Sequence, residues 1–390
     1  MNYPIFDQIE SLSNLSKCMA DADQAYCLPP VCYVDERVLQ FEIDRLFFKS
    51  WVSVGRADRV SAPGDYITLN ISQSSIIIVR DKQRKLRAFA NSCRHRGSQL
   101  LEGEGRCRTI SCPFHSWTYN LEGKLIGAAK METVKNFDKT TQGLKEFALE
   151  ERAGFMFVCL SDSPQSIDGY LGDFEGIHNP WAFGSLKSTR HRTFEVDCNW
   201  KVFLDVFNEH YHLPFVHPDS VNDLYDPPHA ADQTTGAYAS QFGETSGTGG
   251  LLQNQQKHAL PAMPNLPEHV TNGVRYTWVY PNMTFAIGVD MLWIYETYPL
   301  GANRCEVHQT VCFPTATIES SNFTENVKFY YHRLDAAIAE DIPALDRQQR
   351  GLSSVFAQAG RFSPLLEANV ASFAKWYAEQ MQAQQNISAN

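Results

Sequence analysis

The chain has 390 residues, of which 43% are hydrophobic and 20% charged, a composition typical of a folded protein long enough for two domains. Its net charge of −10 argues against a nucleic-acid-binding protein, which normally has a basic face. No apolar run is long enough to span a membrane, and the start "MNYPIFDQIE" lacks the basic and apolar regions of a signal peptide. A cytoplasmic protein is therefore predicted, with its ten cysteines as free thiols or metal ligands rather than disulfides.

The first part of the chain predicts a helix followed by a small β domain. Apolar residues at helical spacing in "DERVLQFEIDRLFFKSW" predict an amphipathic helix over residues 35–51. From Trp51 the sequence consists of short runs rich in β-forming residues, such as "DYITLN", "SSIIIVR" and "LRAFAN", which are separated by turn residues. These runs predict an antiparallel β domain that ends with "GFMFVCLS", near residue 161.

The second part of the chain predicts mixed helix and sheet. A helix over about residues 197–213 is followed by a glycine-rich loop region and by several strands, among them "VRYTWVY", "MTFAIGV" and "RCEVHQTVCF". A long helix over about 321–350 comes next, and the polar tail "QMQAQQNISAN" is expected to be frayed. The predicted architecture is α+β, with a β domain at 48–161 inserted between residues 1–47 and 162–390.

Cysteines and histidines in the β domain have the spacing of a metal centre. Cys93 and His95 form a C-x-H pair in "NSCRHRGSQL", and Cys112 and His115 form a C-x2-H pair in "SCPFHSWTYN". Thiolates and imidazoles bind both zinc and iron–sulfur clusters. Because each short loop supplies one ligand of each kind, the pattern favours a [2Fe-2S] cluster over a zinc finger, which places its cysteines together. Cys107 fits neither pair and is expected to be a free thiol.

A second candidate metal site lies in "CNWKVFLDVFNEHYHLPFVHPDSV". An iron that activates O2 commonly uses two histidines and one carboxylate. His212 and His217 would point about 140° apart on an undistorted helix, so they could not share an ion there. Pro214 lies between them and is expected to kink or end the helix, which lets His217 swing back towards His212. His210 is left over and is expected to be an exposed or capping histidine.

The two motifs together resemble those of the Rieske-type non-haem iron oxygenases, the ring-hydroxylating oxygenase family. "CRHRG" and "CPFHSWTYNLEGKL" carry the first half of the resemblance. The second half rests on the pattern of an acid, two residues, a histidine, four residues and a histidine, which here falls on Glu209, His212 and His217. The resemblance implies a catalytic domain with a curved antiparallel sheet and a long C-terminal helix.

The resemblance also implies roles for two carboxylates. The third ligand of the mononuclear Fe(II) is expected to be Asp341, in "AIAEDIPALDRQQRGL", with Glu340 and Asp346 as alternatives. Glu209 is expected to bridge the iron site to the cluster domain of a neighbouring subunit by contacting its own His212 and the neighbour's cluster histidine. Asp205 is the alternative for that bridge.

The implied activity is O2-dependent mono- or dihydroxylation of a small organic molecule by a homotrimer. Electrons from NAD(P)H are expected to arrive through a separate reductase, with or without a ferredoxin, because the chain has no glycine-rich dinucleotide fingerprint. An electron carrier without its own active site and a zinc-stabilised binding module are the alternatives from other functional classes.

The substrate is left open between two classes. "CNWKVF", "RQQRGL" and "AGRF" are similar to the choline monooxygenase branch, whereas the family as a whole is dominated by aromatic substrates. A pocket is expected to be lined by the segment after His217, by the 230–260 loop and by strands such as "FAIGVDMLWIYETY". Aromatic residues on these elements would suit either an aromatic ring or a quaternary ammonium group: Tyr238, Phe285, Trp293 and Tyr295.

Overall fold

The computed structural model describes residues 10–382, so most of the polar tail predicted to be frayed lies outside the described residues. The described chain forms two compact units. One consists of Phe47–Gln165, and the other combines the residues before it with those that follow from Ser166. The α+β fold class predicted from the sequence is confirmed.

The unit Phe47–Gln165 is built from antiparallel strands. Seven strands form one sheet in the order β1-β10-β9-β4-β3-β2-β5, and three short strands form a second sheet in the order β6-β7-β8. Apolar residues of both sheets pack into one core, among them Ile77, Phe89, Ile110 and Tyr119. The strands are β1 Val52–Arg56, β2 Asp65–Ile71, β3 Ser74–Arg80, β4 Leu86–Ala90, β5 Glu104–Arg106, β6 Ile110–Ser111, β7 Thr118–Tyr119, β8 Leu125–Gly127, β9 Glu146–Arg152 and β10 Phe155–Cys159.

The other unit contains one six-stranded antiparallel sheet, in the order β11-β16-β15-β14-β13-β12. Its central strands are almost wholly buried, because side chains on both faces are covered. The strands are β11 Leu186–Val196, β12 Tyr238–Glu244, β13 Gly273–Val279, β14 Met283–Ile287, β15 Leu292–Gly301 and β16 Arg304–Pro314.

Helices of this unit cover the sheet and carry the second candidate site. Helix α5 packs against β14, β15 and β16, while the long helix α8 packs against α5 and α6. The helices are α1 Val31–Val34, α2 Glu36–Glu42, α3 Ile167–Leu171, α4 Phe174–His178, α5 Trp200–Phe207, α6 Leu213–Val216, α7 Thr315–Ile318, α8 Phe323–Leu352 and α9 Ala368–Gln382. Short 3₁₀ segments in the described chain are Glu10–Met19, Ala57–Val60, Lys139–Thr141, Phe183–Ser185, Asn222–Leu224, Gln253–His258 and Glu268–Val270.

Two predicted helices are shorter than expected. The helix predicted over 35–51 is regular only as α2, and a π-helical turn at Ile43–Phe47 follows it. The helix predicted over about 197–213 ends at Phe207. None of the described helices combines the length and the hydropathy that a membrane span requires.

A fully buried carboxylate joins three helices of the larger unit. Glu42 on α2 accepts hydrogen bonds from the Lys201 ammonium at 2.7 Å and the Tyr377 hydroxyl at 2.6 Å through Oε1, and from the Trp200 indole at 2.8 Å through Oε2. Lys201 and Glu42 are both 0% exposed. Removing one partner of such a pair leaves a buried charge without compensation, which costs about 3–5 kcal/mol.

Candidate metal centres

Two loops of the unit Phe47–Gln165 supply the predicted cluster ligands, and their backbones are alike. In the loop after β4, Cys93 N donates to Ser98 O at 2.8 Å and Gly97 N donates to Cys93 O at 2.9 Å. In the β6–β7 loop, Cys112 N donates to Trp117 O at 2.8 Å and Ser116 N donates to Cys112 O at 3.0 Å. The fourth position after each cysteine has positive φ, 74° at Gly97 and 57° at Ser116, and these turns fold each loop back over its thiol.

The four ligand side chains of these loops lie close together. The Cys93 and Cys112 thiols are buried, and the His95 and His115 rings meet edge to face at a centroid distance of 4.8 Å. The Tyr119 hydroxyl lies 3.4 Å from Cys93 Sγ and accepts from Arg94 N. Two thiols and two imidazoles therefore converge from two loops, as the sequence predicts.

The chemistry of this cluster of side chains fits a metal group. His95 Nδ1 is buried and has no hydrogen-bond partner among the described residues, as expected of an atom kept for a metal. Burial alone would raise the pKa of the Cys112 thiol, but the backbone N–H groups of His115 and Phe114 outweigh it and lower that pKa. The loops are thus prepared to hold a thiolate beside an imidazole. Cys107 is only half-buried and is a free thiol.

The second candidate site begins where α5 ends. Asn208 closes the helix by donating from its amide to Leu204 O at 2.7 Å. The next residue, Glu209, accepts from the backbone N–H groups of Tyr211 and His212, so the chain turns instead of continuing as a helix. The break therefore comes before the histidines and not at Pro214, which was expected to cause it. Pro214 instead lies in the first turn of α6, where a missing N–H is tolerated.

This turn brings three predicted ligands together. The ring nitrogens of His212 and His217 and a carboxylate oxygen of Asp341 all lie within 4.8 Å of one another. Asp341 Oδ1 is 2.9 Å from His217 Nε2 and 3.7 Å from His212 Nε2. It is buried and makes no properly oriented hydrogen bond with the described residues, so its lone pairs are free for an ion. Two histidines and one carboxylate are the donor set that non-haem iron prefers.

Two outer carboxylates orient the histidines. His212 Nδ1 lies 2.5 Å from Glu209 Oε1, and His217 Nδ1 lies 2.5 Å from Glu340 Oε2, which also accepts from the Ser220 hydroxyl. Each contact holds the proton on Nδ1 and leaves Nε2 free for the metal. Burial works to lower the pKa of His217, but Asp341 and Glu340 outweigh it and raise that pKa, which reflects a site that favours positive charge.

Glu340 is therefore placed behind His217, and Asp346 lies on the exposed face of α8 in an ion pair with Arg350. Asp205, the alternative bridge, is buried against the Tyr33 hydroxyl at 3.1 Å instead of facing His212. Burial raises the pKa of Asp205 to about 7. Glu340 was expected only as an alternative iron ligand, and its contact with His217 Nδ1 is visible only in the folded chain.

A cavity beside the three ligands is lined by the sheet, α5 and α8. Trp293 and Tyr295 of β15 line it, as expected. Tyr238 and Phe285 do not, and their expected role was wrong. Phe285 pairs with Ile294, the residue between Trp293 and Tyr295, so it lies on the opposite face of the sheet. The lining is completed by Phe203, Val206, Phe207, Glu209, His210, His212, Leu213, His217, Val221, Tyr225, Tyr276, Arg333, Ala337, Ile338 and Asp341.

The structure of this region differs from the sequence predictions in three further ways. The 230–260 loop contributes none of the lining residues. His210 is buried and not exposed, because the turn after α5 packs its ring against Tyr276 at a centroid distance of 5.3 Å. The aromatic residues Tyr225 and Tyr276 and the basic residue Arg333 were not predicted to line the cavity at all.

Comparison with known proteins accounts for both centres. A family model of the Rieske [2Fe-2S] domain matches residues 50–138. A model of the catalytic domain of ring-hydroxylating alpha subunits matches residues 183–383, more than half of the chain. The chain belongs to the ring-hydroxylating oxygenase family. The predicted resemblance and the oxygenase class are thereby confirmed, against the electron-carrier and zinc-module alternatives.

Similar proteins include monooxygenases that are named for quaternary ammonium compounds. This oxygenase is 28% identical over 390 residues to the glycine betaine monooxygenase oxygenase subunit of Chromohalobacter salexigens, covering 91% of this chain and 86% of the relative. It is 28% identical to the carnitine monooxygenase oxygenase subunit of Acinetobacter baumannii, covering 86% and 87%. The crystal structure of the quaternary ammonium Rieske monooxygenase CntA in complex with L-carnitine superposes with a TM-score of 0.79, at 27% identity, over 94% of this chain and 99% of that one.

Glu340 provides a test of the iron site that leaves all three ligands in place. Glu340→Gln keeps the shape but removes the charge behind His217, so we expect iron affinity to fall about ten-fold or more. Iron retention against a graded chelator measures the change. Glu325→Gln, an exposed site on the same helix, is the matched control and should behave as wild type. Equal iron retention in the two variants would show that Glu340 does not support the ligand.

Proposed function

We propose that this oxygenase is a monooxygenase of a quaternary ammonium compound. The observation that carries the proposal is the lining of the cavity beside His212, His217 and Asp341. Aromatic rings from the sheet and α5 form its walls, and two carboxylates, Glu209 and Asp341, both lie beside the His212 ring. Aromatic faces and nearby negative charge are the two features that attract a desolvated alkylammonium ion.

The size of the cavity supports a compact substrate. It encloses about 70 Å³. Because a single water needs about 10–15 Å³ of such space, the cavity has room for a compact molecule. Relatives named for glycine betaine and carnitine monooxygenation point to the same class. Hydroxylation of an aromatic compound remains the second candidate, because aromatic walls can also stack on a ring.

In the mechanism we propose, the protein residues hold and orient the reacting groups. Cys93, His95, Cys112 and His115 would hold the [2Fe-2S] cluster, while His212, His217 and Asp341 would hold the mononuclear iron. When bound, these groups store and deliver single electrons and activate O2. In the overall reaction one oxygen atom enters a C–H bond, and two electrons and two protons reduce the other to water.

The side chains around the ligands have distinct tasks. Glu209 and Glu340 keep the protons of His212 and His217 on Nδ1, so that both Nε2 atoms face Asp341. The aromatic walls exclude water and limit the orientations of the substrate, which brings one C–H bond to the reacting position. His210 lies buried at the wall with a pKa lowered by burial to about 4, so it is neutral and adds no charge against a cationic ligand.

Electron supply and assembly belong to the same proposal. NAD(P)H electrons would come from a separate reductase, with or without a ferredoxin, since the family resemblance implies this and the chain has no dinucleotide fingerprint. The oxygenase would be a homotrimer in which Glu209 links the iron site to a neighbour's cluster. A cytoplasmic location also stays a prediction.

Reconstitution with a reductase tests the substrate class. Purified oxygenase should hydroxylate at least one of a panel of trimethylammonium compounds, and NAD(P)H use should match product formed. The panel should also contain benzoate, indole and naphthalene. Tight coupling with an aromatic compound, and none with any quaternary ammonium compound, would replace the proposal with the second candidate.

A further inference from the structure

We propose that Arg333, buried in the wall of the cavity, binds a carboxylate of the substrate and thereby selects zwitterionic ammonium carboxylates over ammonium alcohols. The inference rests on the proposed function and extends it to the anionic end of the molecule. Arg333 lies on α8 and is 6% exposed, so its charge is almost completely removed from bulk water. A charge so buried is normally compensated by a partner of opposite sign.

Arg333 has no such partner in the part of the chain that the structure describes. Among the residues described, no carboxylate lies within 4.0 Å of its guanidinium, and its Nε has no hydrogen-bond partner. Its Nη2 donates to the neutral Tyr225 hydroxyl at 2.6 Å. The guanidinium lies 5.3 Å from the centre of the Trp293 ring. By contrast, Arg56, which is also buried, lies 3.5 Å from the Asp58 carboxylate.

The position of Arg333 on α8 gives the cavity two ends of opposite charge. Arg333, Ala337 and Asp341 are spaced four residues apart, so they lie along one face of the helix and all line the cavity. The Cα atoms of Arg333 and Asp341 are about 12 Å apart along the helix axis, from eight residues at 1.5 Å each. Asp341, Glu209 and Glu340 together carry three negative charges, one more than the two positive charges of an Fe(II) ion, so this end stays acidic with the metal bound, while Arg333 makes the other end basic.

A zwitterion matches this arrangement. Its ammonium methyl groups would lie towards the acidic end, where the metal ligands are, and its carboxylate would lie against Arg333. Guanidinium and carboxylate groups form charge-assisted hydrogen bonds, and the planar guanidinium can donate to both carboxylate oxygens at once. Choline has the same trimethylammonium group but a neutral hydroxyl, so it would leave the guanidinium uncompensated. Arg333 is therefore a specificity residue for the end of the substrate that does not react.

Calorimetry on the oxygenase with both metal centres loaded, without reductant, tests the inference by binding and not by turnover. Wild type should bind glycine betaine or carnitine at least ten-fold more tightly than choline. Arg333→Met should weaken the carboxylate ligands about ten-fold or more and leave choline unchanged or bound more tightly. Arg333→Lys should recover part of the carboxylate affinity, because lysine restores the positive charge but cannot donate two parallel hydrogen bonds to the carboxylate. Arg350→Met, an exposed arginine on the same helix, is the matched control and should behave as wild type.

Stability separates this role from a structural one. Because Arg333 is a buried charge without an ionic partner, Arg333→Met should keep or raise the midpoint of thermal unfolding. A lowered midpoint with equal weakening of choline and carboxylates would overturn the inference, as would wild-type affinity for carboxylates in Arg333→Met. If wild type binds no quaternary ammonium compound but binds benzoate in a way that requires Arg333, the proposed function fails and the carboxylate site stands. If no carboxylate requires Arg333, the inference fails whichever substrate is oxidised.

Discussion

Replacing Asp341 with alanine is expected to abolish hydroxylation while leaving the spectrum of the [2Fe-2S] cluster unchanged. Asp341 supplies the only carboxylate in the three-residue group of candidate ligands found among the described residues. Without it, two neutral imidazoles remain, and the affinity for Fe(II) should fall by more than about 100-fold. This loss is larger than the one expected on removing a group such as Glu340, which only hydrogen-bonds a ligand. Iron content, turnover and the electron paramagnetic resonance spectrum of the reduced cluster measure the three effects separately.

Asp346→Ala is the matched control for this prediction. Asp346 lies on the same helix but on its exposed face, where it pairs with Arg350 at 2.6 Å. Such a surface pair contributes little to stability, so the variant should retain iron and activity. If Asp341→Ala kept both, Glu340 would have to be the ligand, and its contact with His217 Nδ1 would need another explanation.

Hybrid trimers are expected to regain activity from two inactive variants. Cys93→Ser removes a cluster ligand but keeps the iron site, whereas His212→Ala removes an iron ligand but keeps the cluster. In a head-to-tail ring of three, every mixed trimer has one junction at which an intact cluster faces an intact iron, so its activity should be about one-third of wild type. Differently tagged subunits, unfolded and refolded or co-expressed and then doubly purified, provide such hybrids.

The parent variants set the baseline for the hybrid experiment. Each alone should be inactive, because no junction in a uniform trimer has both intact centres. Hybrids of verified composition with no activity would rule out transfer between subunits, and so would a fully active wild-type monomer. Recovery well above one-third would require a different ring geometry or a different route for electrons.

Features set by short-range patterns are the ones that the sequence predicts best. Cys93, His95, Cys112 and His115 lie in two loops whose turns depend on a few neighbouring residues, so their spacing alone indicated a shared centre. The strands of both sheets were likewise visible as alternating or continuous apolar runs. Asp341 could be named only through family resemblance, because it lies 124 positions after His217 and no local spacing relates the two.

The errors have a common physical origin in contacts between distant segments. Phe285 and Trp293 both lie in apolar strands, and only the register of β14 against β15 decides which of them faces the cavity. His210 falls on no ligand position of the sequence pattern, so an exposed or capping histidine is expected there, but the turn fixed by Glu209 buries it. Glu340 and Arg333 have ordinary sequence contexts on α8, and their roles depend on what packs opposite them.

The buried Glu42 contact implies an order of assembly during synthesis. Glu42 is made early, but the residues that satisfy it, Lys201 and Tyr377, leave the ribosome much later, the second of them 335 positions on. The unit Phe47–Gln165 has all its own strands long before that and is expected to fold first, since domains fold as units from the N-terminal end. The nascent chain would then contain a folded cluster site before the partners of Glu42 have been synthesised. Cluster insertion can therefore precede the formation of the iron site, and a chain truncated before α9 should load the cluster but not complete the catalytic unit.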